Sequence, residues 1–287
     1  KKHSSPGIYA SQESAGDAVR KQFKISGPGG NYTAACATGI VSLHAGMMYL
    51  KSGEADYCIV GSAESSLNSF YTAGFKRMGV YAEISGAPSK ALKPFSIDRS
   101  GFLPAEGAGV LIIEKSSSAI QRGAHIYGTV DACVIGNDGY DPVFFNSNGK
   151  NIARVIHEAV IRAKWELHQV DYINAHGTGT KLNDYLEASA LTRVFGGRKI
   201  NLSVSSTKAG TGHLLGAAGS VETGFALLAM RDGIVPPTLN LIKKDPAWDL
   251  DFTGLYARRK KIHRVMSLSY GFGGHIGAVS LARWGDT

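Results

Sequence analysis

The chain has 287 residues, of which 44% are hydrophobic and 19% charged, a composition typical of a globular protein built as one large domain or two fused halves. Three scattered cysteines are too few for a disulfide framework, no apolar run is long enough to span a membrane, and the N-terminus lacks a signal-peptide pattern. We therefore expect a soluble, cytoplasmic protein without a membrane span. The formal net charge of +8 indicates an acidic partner but does not identify it.

The first half of the chain predicts helices and strands around one cysteine. The predicted elements are a helix over Ser14–Phe23, a helix from Ile40 to Lys51 that stops at Gly53, a short buried strand at Tyr57–Gly61 and a strand at Gly107–Glu114. Between the two strands, residues 65–106 form a long irregular excursion. Loops of this length in a compact domain are more often functional than idle.

Cys36 is the candidate nucleophile, because it lies between an expected strand and the start of a helix. Unpaired backbone N–H groups and the positive end of the helix dipole at such a place lower the pKa of a thiol and favour the thiolate. A lone cysteine is more often a small buried hydrophobic residue, so placement alone leaves both interpretations open. Cys58, within an apolar strand, is expected in the core.

The second half alternates strands and helices in the order βαβαβαββ, which predicts a layered α/β fold with helices over a mostly parallel sheet. The first half, in the order αβαββ, matches the last five of these elements, which indicates an internal duplication whose opening βαβ is absent from the given sequence. The halves meet near Lys115–Gly123, which assigns residues 1–115 to the first half and residues 116–287 to the second. The predicted elements of the second half are strands near Ile126–Val134, Asp171–Ala175, Asn201–Ser205, Val265–Tyr270 and Ile276–Trp284, and helices near Asn151–Trp165, Asn183–Phe195 and Leu215–Arg231.

Two histidines of the second half follow predicted strands. His176 begins a run of small residues that reaches Thr180, and His213 lies with Lys208 in the loop that opens the next helix. Each histidine alone is more often structural than catalytic. Catalytic groups of α/β folds gather at the carboxyl ends of strands, however, and a duplicated fold brings such ends to one crevice. The pattern therefore favours a catalytic site shared with Cys36.

The motifs around Cys36, His176 and His213 match one known family in order and spacing. They are Ala35-Cys36-Ala37-Thr38-Gly39, Asn174-Ala175-His176-Gly177-Thr178 and Ser206-Thr207-Lys208-Ala209-Gly210-Thr211-Gly212-His213, extended by Lys93-Pro94-Phe95, Asp98-Arg99, Gly101-Phe102, Glu106-Gly107-Ala108-Gly109, Val235-Pro236-Pro237-Thr238-Leu239-Asn240 and Gly271-Phe272-Gly273-Gly274. From about Ser14 to its C-terminus the chain resembles the β-ketoacyl-acyl-carrier-protein synthases, elongating condensing enzymes (type II ketosynthases) of thiolase fold. Members of this family usually carry a long segment before the cysteine, so the resemblance also implies that the N-terminal part is missing.

The resemblance implies a decarboxylative Claisen condensation. Cys36 would hold an acyl chain as a thioester, a malonyl thioester would lose CO₂, and the resulting enolate carbon would attack the acyl group. His176 and His213 would donate hydrogen bonds from Nε2 to the enolate oxygen, and the backbone N–H groups of Cys36 and Phe272 would form a second oxyanion hole. No cofactor and no metal are implied. The acyl-chain length and the pathway, fatty acid or polyketide, stay open.

Other residues take roles from the same resemblance. Lys208 would pair with Glu222 and fix the histidine loop, although a purely structural salt bridge is an equal interpretation. Phe272 would act as a gate over the acyl pocket, and the alternative for it is a turn aromatic packed on the core. The implied substrate-binding residues are Thr178, Thr180, Phe272 and Gly273.

The implied partners are an acyl carrier protein and a second copy of the chain. Lys76 and Arg77 match the positions of basic residues that contact the carrier, whose acidic helix complements a positively charged surface. The family's dimer pairs the strand at Asn31–Ala35 with its copy across a two-fold axis. We therefore expect a homodimer and a further N-terminal segment in the natural protein.

The chain departs from the family pattern at a few positions. His275 and Ile276 stand where the family generally has Thr and Asn, Leu268 stands where it generally has Asn, Pro104 replaces a common Gly, and Ala34 is smaller than the usual residue. These changes concern the geometry of the Phe272 turn and the substrate preference more than the basic chemistry.

Two other classes of function stay open. One is a non-catalytic or decarboxylating partner subunit of a ketosynthase heterodimer, although such subunits typically lack the cysteine that is present here as Cys36. The other is nucleic-acid binding through the basic run Arg258–Lys261 with His263 and Arg264. Such runs are usually solvated loops, and no aromatic residues interleave with this one, so no nucleic-acid partner is expected.

Overall fold

The computed structural model describes residues 14–196 and 201–285. Its helices in chain order are α1 (Ser14–Phe23), α2 (Thr38–Ser52), α3 (Ser69–Arg77), α4 (Ser116–Gln121), α5 (Lys150–Arg162), α6 (Lys181–Phe195), α7 (Lys208–Thr211) and α8 (Ala218–Asp232). Its strands are β1 (Tyr57–Glu64), β2 (Gly107–Glu114), β3 (Thr129–Asn137), β4 (Tyr172–Asn174), β5 (Ser203–Ser205), β6 (Ile234–Val235), β7 (Arg258–Arg259), β8 (Arg264–Gly271) and β9 (His275–Ala282). Within these described ranges, none of the helices has the length and apolar character needed to cross a membrane.

A mixed five-stranded sheet lies at the centre of the second half, with the strand order β3–β9–β8–β4–β5. β4 pairs in parallel with β5 and β8, whereas β9 runs antiparallel to β8 and β3. β4 and β5 are buried along their whole length, as expected of parallel strands that are covered on both faces. Their carboxyl ends lead into the His176 segment and the Lys208 loop.

Helices α2 and α8 form a layer between this sheet and the antiparallel β1–β2 pair of the first half. α8 packs on β8 and β2, and α2 packs on β1 and β3. The two helices approach closely, because a Cβ atom on Gly39 of α2 would lie 2.2 Å from the Ser220 backbone nitrogen of α8. Glycine is therefore required at position 39, and the halves of the chain share one interior.

Side chains alternate between the two faces of the central strands. They therefore contribute to two large apolar clusters, one on each face of the five-stranded sheet. Met266, Leu268 and Tyr270 of β8 face α5 and belong to the larger cluster. Val265 of β8 faces the other way and belongs to the cluster that includes Ile40 of α2. The layers are thus α5 and α6, the five-stranded sheet, α2 and α8, and the β1–β2 pair. This arrangement confirms the predicted layered α/β fold, but the sheet is mixed and not mostly parallel as predicted, because β9 runs antiparallel to both of its neighbours.

The outer face of the β1–β2 pair is apolar and exposed. Val110 and Ile112 of β2 are 61% and 68% exposed, whereas Leu111 and Ile113 point inward and pack against the cluster under α2. β2 thus has one apolar face in the core and another at the surface of the described chain.

The structure corrects the element order that was predicted for the first half. The segment 31–35 does not form a strand; within it, Ala34 takes part in an isolated bridge with Cys36. The excursion is not wholly irregular, because it contains α3, which begins where Asn68 Oδ1 accepts a hydrogen bond from Tyr71 N at 3.1 Å. None of the α3 residues is buried, so no core-facing periodicity revealed it. The other predicted elements are confirmed, with bounds that differ by about three residues or fewer.

Candidate active site

Cys36 lies on a tight turn that leads into α2. The preceding residue, Ala35, has a φ of 46°, a left-handed conformation that is uncommon for a residue with a Cβ and frequent at functional sites. Thr38 holds the turn, since its Oγ1 accepts a hydrogen bond from Ala34 N (2.9 Å) and donates one to the Ala35 carbonyl (2.7 Å). Ser269 Oγ of β8 donates to the Cys36 carbonyl at 2.8 Å. The end of β8 and the start of α2 together fix the nucleophile's backbone.

The Cys36 thiol is buried, and this corrects the expectation of a lowered pKa. Cys36 is 7% exposed, and burial raises the pKa of its thiol to about 12. The positive charge of Lys208 lowers this pKa, but the carboxylates of Glu64 and Glu222 raise it. Desolvation of the thiolate therefore outweighs the favourable field at the start of the helix. In this state Cys36 is a protonated thiol at neutral pH.

His176 and His213 meet at the carboxyl ends of β4 and β5. Their ring centroids are 5.3 Å apart with an interplanar angle of 80°. Burial lowers the pKa of both imidazoles well below the ordinary value, and the charge of Lys208 lowers both further. His213 Nδ1 accepts a hydrogen bond from Leu215 N at 3.3 Å, so the proton of this neutral ring is on Nε2. The site therefore presents neutral imidazoles that can donate hydrogen bonds.

The excursion holds His213 in place. Its backbone N–H donates to the Leu103 carbonyl at 2.8 Å, and its carbonyl accepts from Ala105 N at 2.8 Å. Pro104, between these two residues, bridges to His213, and the Phe102 ring meets the imidazole edge to face at 5.0 Å. A segment of the first half thus positions a histidine of the second.

Lys208 and Glu222 form the ion pair that the resemblance implies. Lys208 Nζ lies 2.6 Å from Glu222 Oε1, and both side chains are at most 1% exposed. The Oε2 atom of Glu222 has no hydrogen-bond partner among the described residues. Because the charge of Lys208 acts on Cys36, His176 and His213, the pair influences the chemistry as well as the packing of the loop.

The turn between β8 and β9 carries Phe272. Gly273 donates its N–H to the Pro142 carbonyl at 2.7 Å, and its own carbonyl accepts from Asn137 Nδ2 at 2.8 Å. The backbone of Gly273 is therefore engaged in the turn, whereas Gly271 and Phe272 line the cavity described below.

The departures from the family pattern rearrange the support of this turn. Leu268 and Ile276 are buried in the larger apolar cluster together with Tyr270, and His275 begins β9. Apolar packing thus replaces the two expected asparagines, and the amide beside the turn comes from Asn137 of β3. Asn137 is a residue that the sequence analysis missed.

A cavity of about 390 Å³ opens beside the nucleophile. It brings together the candidate residues Cys36, His176, His213, Thr178, Thr180 and Phe272. The Thr178 and Thr180 hydroxyls are hydrogen-bonded to each other at 3.0 Å. Most of the remaining wall is apolar and comes from Val80, Phe102, Val143, Phe144, Phe145, Leu182 and Leu186. The cavity can hold an extended apolar chain with a reactive carbonyl at the cysteine end.

Lys76 and Arg77 lie apart from the catalytic groups, in the last turn of α3. Both are exposed, and Lys76 Nζ stands over the Tyr81 ring at 5.2 Å. The residues that follow them, Met78–Val80, line the cavity. The basic end of α3 therefore lies on the surface next to the cavity mouth.

The basic run near the C-terminus makes contacts within the chain. Arg258 forms an ion pair with Asp251, Lys260 Nζ donates to the Asp171 carbonyl at 2.7 Å, and Arg264 stands over the Trp165 ring at 5.7 Å. These contacts disfavour a nucleic-acid platform.

The sequence analysis also missed Glu187, a fully buried acid on α6. Its carboxylate accepts hydrogen bonds from the backbone nitrogens of His176 (2.8 Å) and Gly177 (2.7 Å). The sequence did contain a signal for this role, because Glu187 is an acidic residue among apolar residues in the helix that follows His176.

Comparison with protein families gives two matches. Residues 2–119 match the family model described as the beta-ketoacyl synthase N-terminal domain, and residues 127–242 match the beta-ketoacyl synthase C-terminal domain.

Curated relatives carry related names. The chain is 36% identical over 265 residues to 3-oxoacyl-[acyl-carrier-protein] synthase 2 of Coxiella burnetii, covering 92% of this chain and 64% of the relative. It is 33% identical over 261 residues to the tetracenomycin polyketide synthase ketoacyl synthase alpha subunit of Streptomyces glaucescens, covering 91% and 61%. The chain thus spans somewhat less than two thirds of the length of these relatives.

Solved structures agree with this result. The chain superposes with a TM-score of 0.91 on a ketosynthase of a type II polyketide synthase, solved bound to the hexaketide in complex with its acyl-carrier protein, at 32% identity over 94% of this chain and 67% of that one. A beta-ketoacyl synthase from Burkholderia phymatum gives a TM-score of 0.87 at 30% identity, covering 94% and 65%.

Proposed function

The chain belongs to the β-ketoacyl synthase family, and we propose that it catalyses the decarboxylative condensation of an acyl thioester held on Cys36 with malonyl-acyl-carrier protein. The product is a β-ketoacyl-acyl-carrier protein in fatty-acid or polyketide synthesis, and the activity is that of an acyltransferase. One observation carries the proposal: Cys36, His176 and His213 line the same cavity.

The first step transfers the acyl group to the enzyme. The Cys36 sulfur attacks the carbonyl carbon of the incoming acyl thioester, a new C–S bond forms, and the bond to the carrier thiol breaks. The proton that Cys36 loses balances the one that the departing carrier thiolate gains. The thiol pKa of about 12 means that this proton leaves during the attack and not before it.

The second step produces the carbon nucleophile. The bond between the malonyl carboxylate and its α-carbon breaks, CO₂ leaves, and the electron pair passes to the thioester as an enolate. His176 and His213 donate hydrogen bonds to the enolate oxygen. Their pKa values, held well below the ordinary value mainly by burial, keep the imidazoles neutral, so they stabilise the oxygen as neutral donors and do not take up a proton from solvent as the pH falls.

The third step joins the two substrates. The enolate carbon attacks the acyl carbon on Cys36, and the backbone N–H groups of Cys36 and Phe272 stabilise the tetrahedral oxyanion. The C–S bond then breaks, and the thiolate of Cys36 takes up a proton from solvent. Removal of one oxyanion donor typically costs about 2.7–4 kcal/mol. Thr178 and Thr180 bind the substrate arm along the cavity, and Phe272 gates the entrance.

The proposed partners are an acyl carrier protein and a second copy of the chain. Exposed Lys76 and Arg77 beside the cavity mouth support docking of an acidic carrier, and the structure similar to this chain was solved with its acyl-carrier protein. The exposed apolar face of β2, with Val110 and Ile112, supports association with a second copy, and by the resemblance residues 31–35 would pair with their copy. The proposed setting is the reducing cytoplasm, in keeping with free thiols at Cys36, Cys58 and Cys133.

The function is tested by acyl loading followed by intact-mass spectrometry. The purified protein is incubated with an acyl-pantetheine thioester, and the acyl adduct is located by peptide mapping. We expect one adduct, on Cys36, that is absent from Cys36→Ala. Cys58→Ala is the matched control, because Cys58 lies on β1 outside the cavity lining, and it should load like the unmodified protein. Loading that survives Cys36→Ala would refute the proposal, and a folded, unmodified protein that does not load at all would favour a non-catalytic partner subunit.

A further inference from the structure

Tyr270 lines the cavity, but its hydroxyl has no part in the reaction described above. The residue is 2% exposed, and its ring centroid lies 5.2 Å from that of His176. The hydroxyl oxygen is buried and has no hydrogen-bond partner within the residues that the structure describes. Burial, and after it the carboxylate of Glu187 on α6, raises the pKa of the phenol well above its ordinary value.

Glu187 holds the backbone that carries His176. The carboxylate is fully buried, its Oε1 accepts from His176 N at 2.8 Å, and its Oε2 accepts from Gly177 N at 2.7 Å. Gly177 has a φ of 37°, so the chain turns sharply just after the imidazole. Two hydrogen bonds leave further lone-pair sites on a carboxylate, and a buried anion is costly unless donors surround it. The Tyr270 hydroxyl is a neighbouring donor.

The Tyr270 hydroxyl lies on a strand face whose neighbouring side chains are apolar. Leu268 lies two residues earlier on β8, and Ile276 of β9 is the register partner of Tyr270. Both are buried apolar residues. The hydroxyl is therefore a polar group that an otherwise apolar patch presents to Glu187.

We propose that Tyr270 and Glu187 are positioning residues: the phenol donates a hydrogen bond to the carboxylate, and the pair holds the His176–Gly177 backbone so that the imidazole faces the enolate oxygen. This inference rests on the proposed function for the identity of the reacting oxygen. It assigns the pair to the decarboxylation step and leaves acyl loading of Cys36 unaffected.

The pair gives the decarboxylation step a defined pH dependence. Burial raises the pKa of Glu187 to about 8, although the hydrogen bonds from the Gly177 and His176 backbone lower it. Of the charged groups that face Glu187, Asp184 of α6 raises this pKa and Lys208 of α7 lowers it. Because the active form is the carboxylate, decarboxylation is present above this pKa and is lost as the pH falls through it.

Other titrating groups do not account for such a transition. His176 stays neutral through this range, because burial holds its pKa well below the ordinary value, and the same holds for His213. The pKa of the Tyr270 phenol lies well above the ordinary value, mainly because of burial, so the phenol keeps its proton. Removal of the phenol hydroxyl takes a donor from the carboxylate and raises the pKa of Glu187 further.

The test is the pH profile of CO₂ release from malonyl-pantetheine, from neutral to alkaline pH, for Tyr270→Phe. We expect its acid limb to move up by about one pH unit and CO₂ release on that limb to fall about tenfold, the effect of one lost hydrogen bond to a charged group. Acyl loading of Cys36 should not change. Tyr172→Phe is the matched control, because Tyr172 is also fully buried but its hydroxyl is hydrogen-bonded to Ser205 Oγ at 2.9 Å.

Superimposable profiles for Tyr270→Phe and the unmodified protein would overturn the inference, as would an equal shift in Tyr172→Phe. If Tyr270→Phe does not fold, the pH profile of Glu187→Gln is measured instead. The inference predicts that the acid limb of CO₂ release disappears in this variant. An acid limb that is retained in Glu187→Gln would overturn the inference. Absence of CO₂ release from the folded, unmodified protein would refute the proposed function instead. In that case the pair is tested by titrating the Glu187 carboxyl group with carbon NMR. The inference requires a higher pKa of Glu187 in Tyr270→Phe than in the unmodified protein, and an unchanged one in Tyr172→Phe.

Discussion

The reactivity of Cys36 is governed by residues that are distant from it in the sequence. Helix position alone predicted a lowered thiol pKa, but burial reverses the direction, and Glu64 and Glu222 act in the same sense. Lys208 is the charge that opposes them. A buried thiol of this kind is protonated at neutral pH and is therefore a weaker nucleophile than a thiolate.

Lys208 forms a buried ion pair with Glu222, and we expect this pair to contribute to the stability of the fold. Lys208→Met leaves the Glu222 carboxylate buried without its partner, 2.6 Å from where the ammonium group was. We expect the free energy of unfolding to fall by about 3–5 kcal/mol, measured by urea denaturation.

The matched variant is the double replacement Lys208→Met with Glu222→Met, which removes both charges. It should recover most of the lost stability, because packed apolar side chains can replace a buried ion pair at little cost. Its CO₂ release should stay impaired if the Lys208 charge acts on the histidines. A double variant with full activity would instead support the purely structural interpretation of the salt bridge.

At the scale of elements, the excursion between β1 and β2 proves to be a part of the site. It forms hydrogen bonds on both sides of His213 through Leu103 and Ala105. Its helix α3 ends in Lys76 and Arg77, directly before the cavity-lining residues Met78–Val80. One segment therefore joins the proposed docking surface to the catalytic histidine.

The docking role of α3 predicts a selective effect of Arg77→Glu. Replacing an exposed cation by an anion should raise KM for carrier-bound substrate about fivefold, the effect of roughly 1 kcal/mol from a surface ion pair. The dependence of KM on salt should flatten, while KM for a pantetheine thioester stays unchanged.

The control for this charge reversal is Arg193→Glu, since Arg193 is exposed in the last turn of α6. It should alter neither KM value. Equal effects of Arg77→Glu on carrier-bound and pantetheine substrates would contradict docking at α3.

At the scale of the whole molecule, the outer face of the β1–β2 pair is apolar and exposed, with Val110 and Ile112 at its surface. Exposed apolar surface of this kind favours association, because burial removes it from water, and we propose a second copy of the chain as the partner.

The proposed homodimer is tested by light scattering over a range of protein concentrations. We expect twice the mass of the protomer over this range. A monomer at every concentration that still loads and condenses acyl groups would contradict the dimer.

Much of the architecture was predictable, because the long elements have strong periodicity. α1 and β2 have the predicted bounds, and the motifs around Cys36, His176 and His213 do line one cavity. The features that the sequence did not predict depend on tertiary contacts, which leave no local sequence pattern. α3 buries no residue, Glu187 is recognisable only once its carboxylate meets the His176 backbone, and the thiol pKa follows from burial.

The most direct test of the central claim is a single-turnover condensation. Enzyme carrying a preformed acyl group on Cys36 is mixed with malonyl-acyl-carrier protein, and CO₂, acyl-enzyme and β-ketoacyl product are followed together. We predict that CO₂ and product appear in equal amounts as the acyl-enzyme disappears, and that His213→Ala retains the acyl-enzyme but releases little CO₂. Product formed at an undiminished rate by Cys36→Ala, or CO₂ release that is unchanged in His213→Ala, would contradict the account.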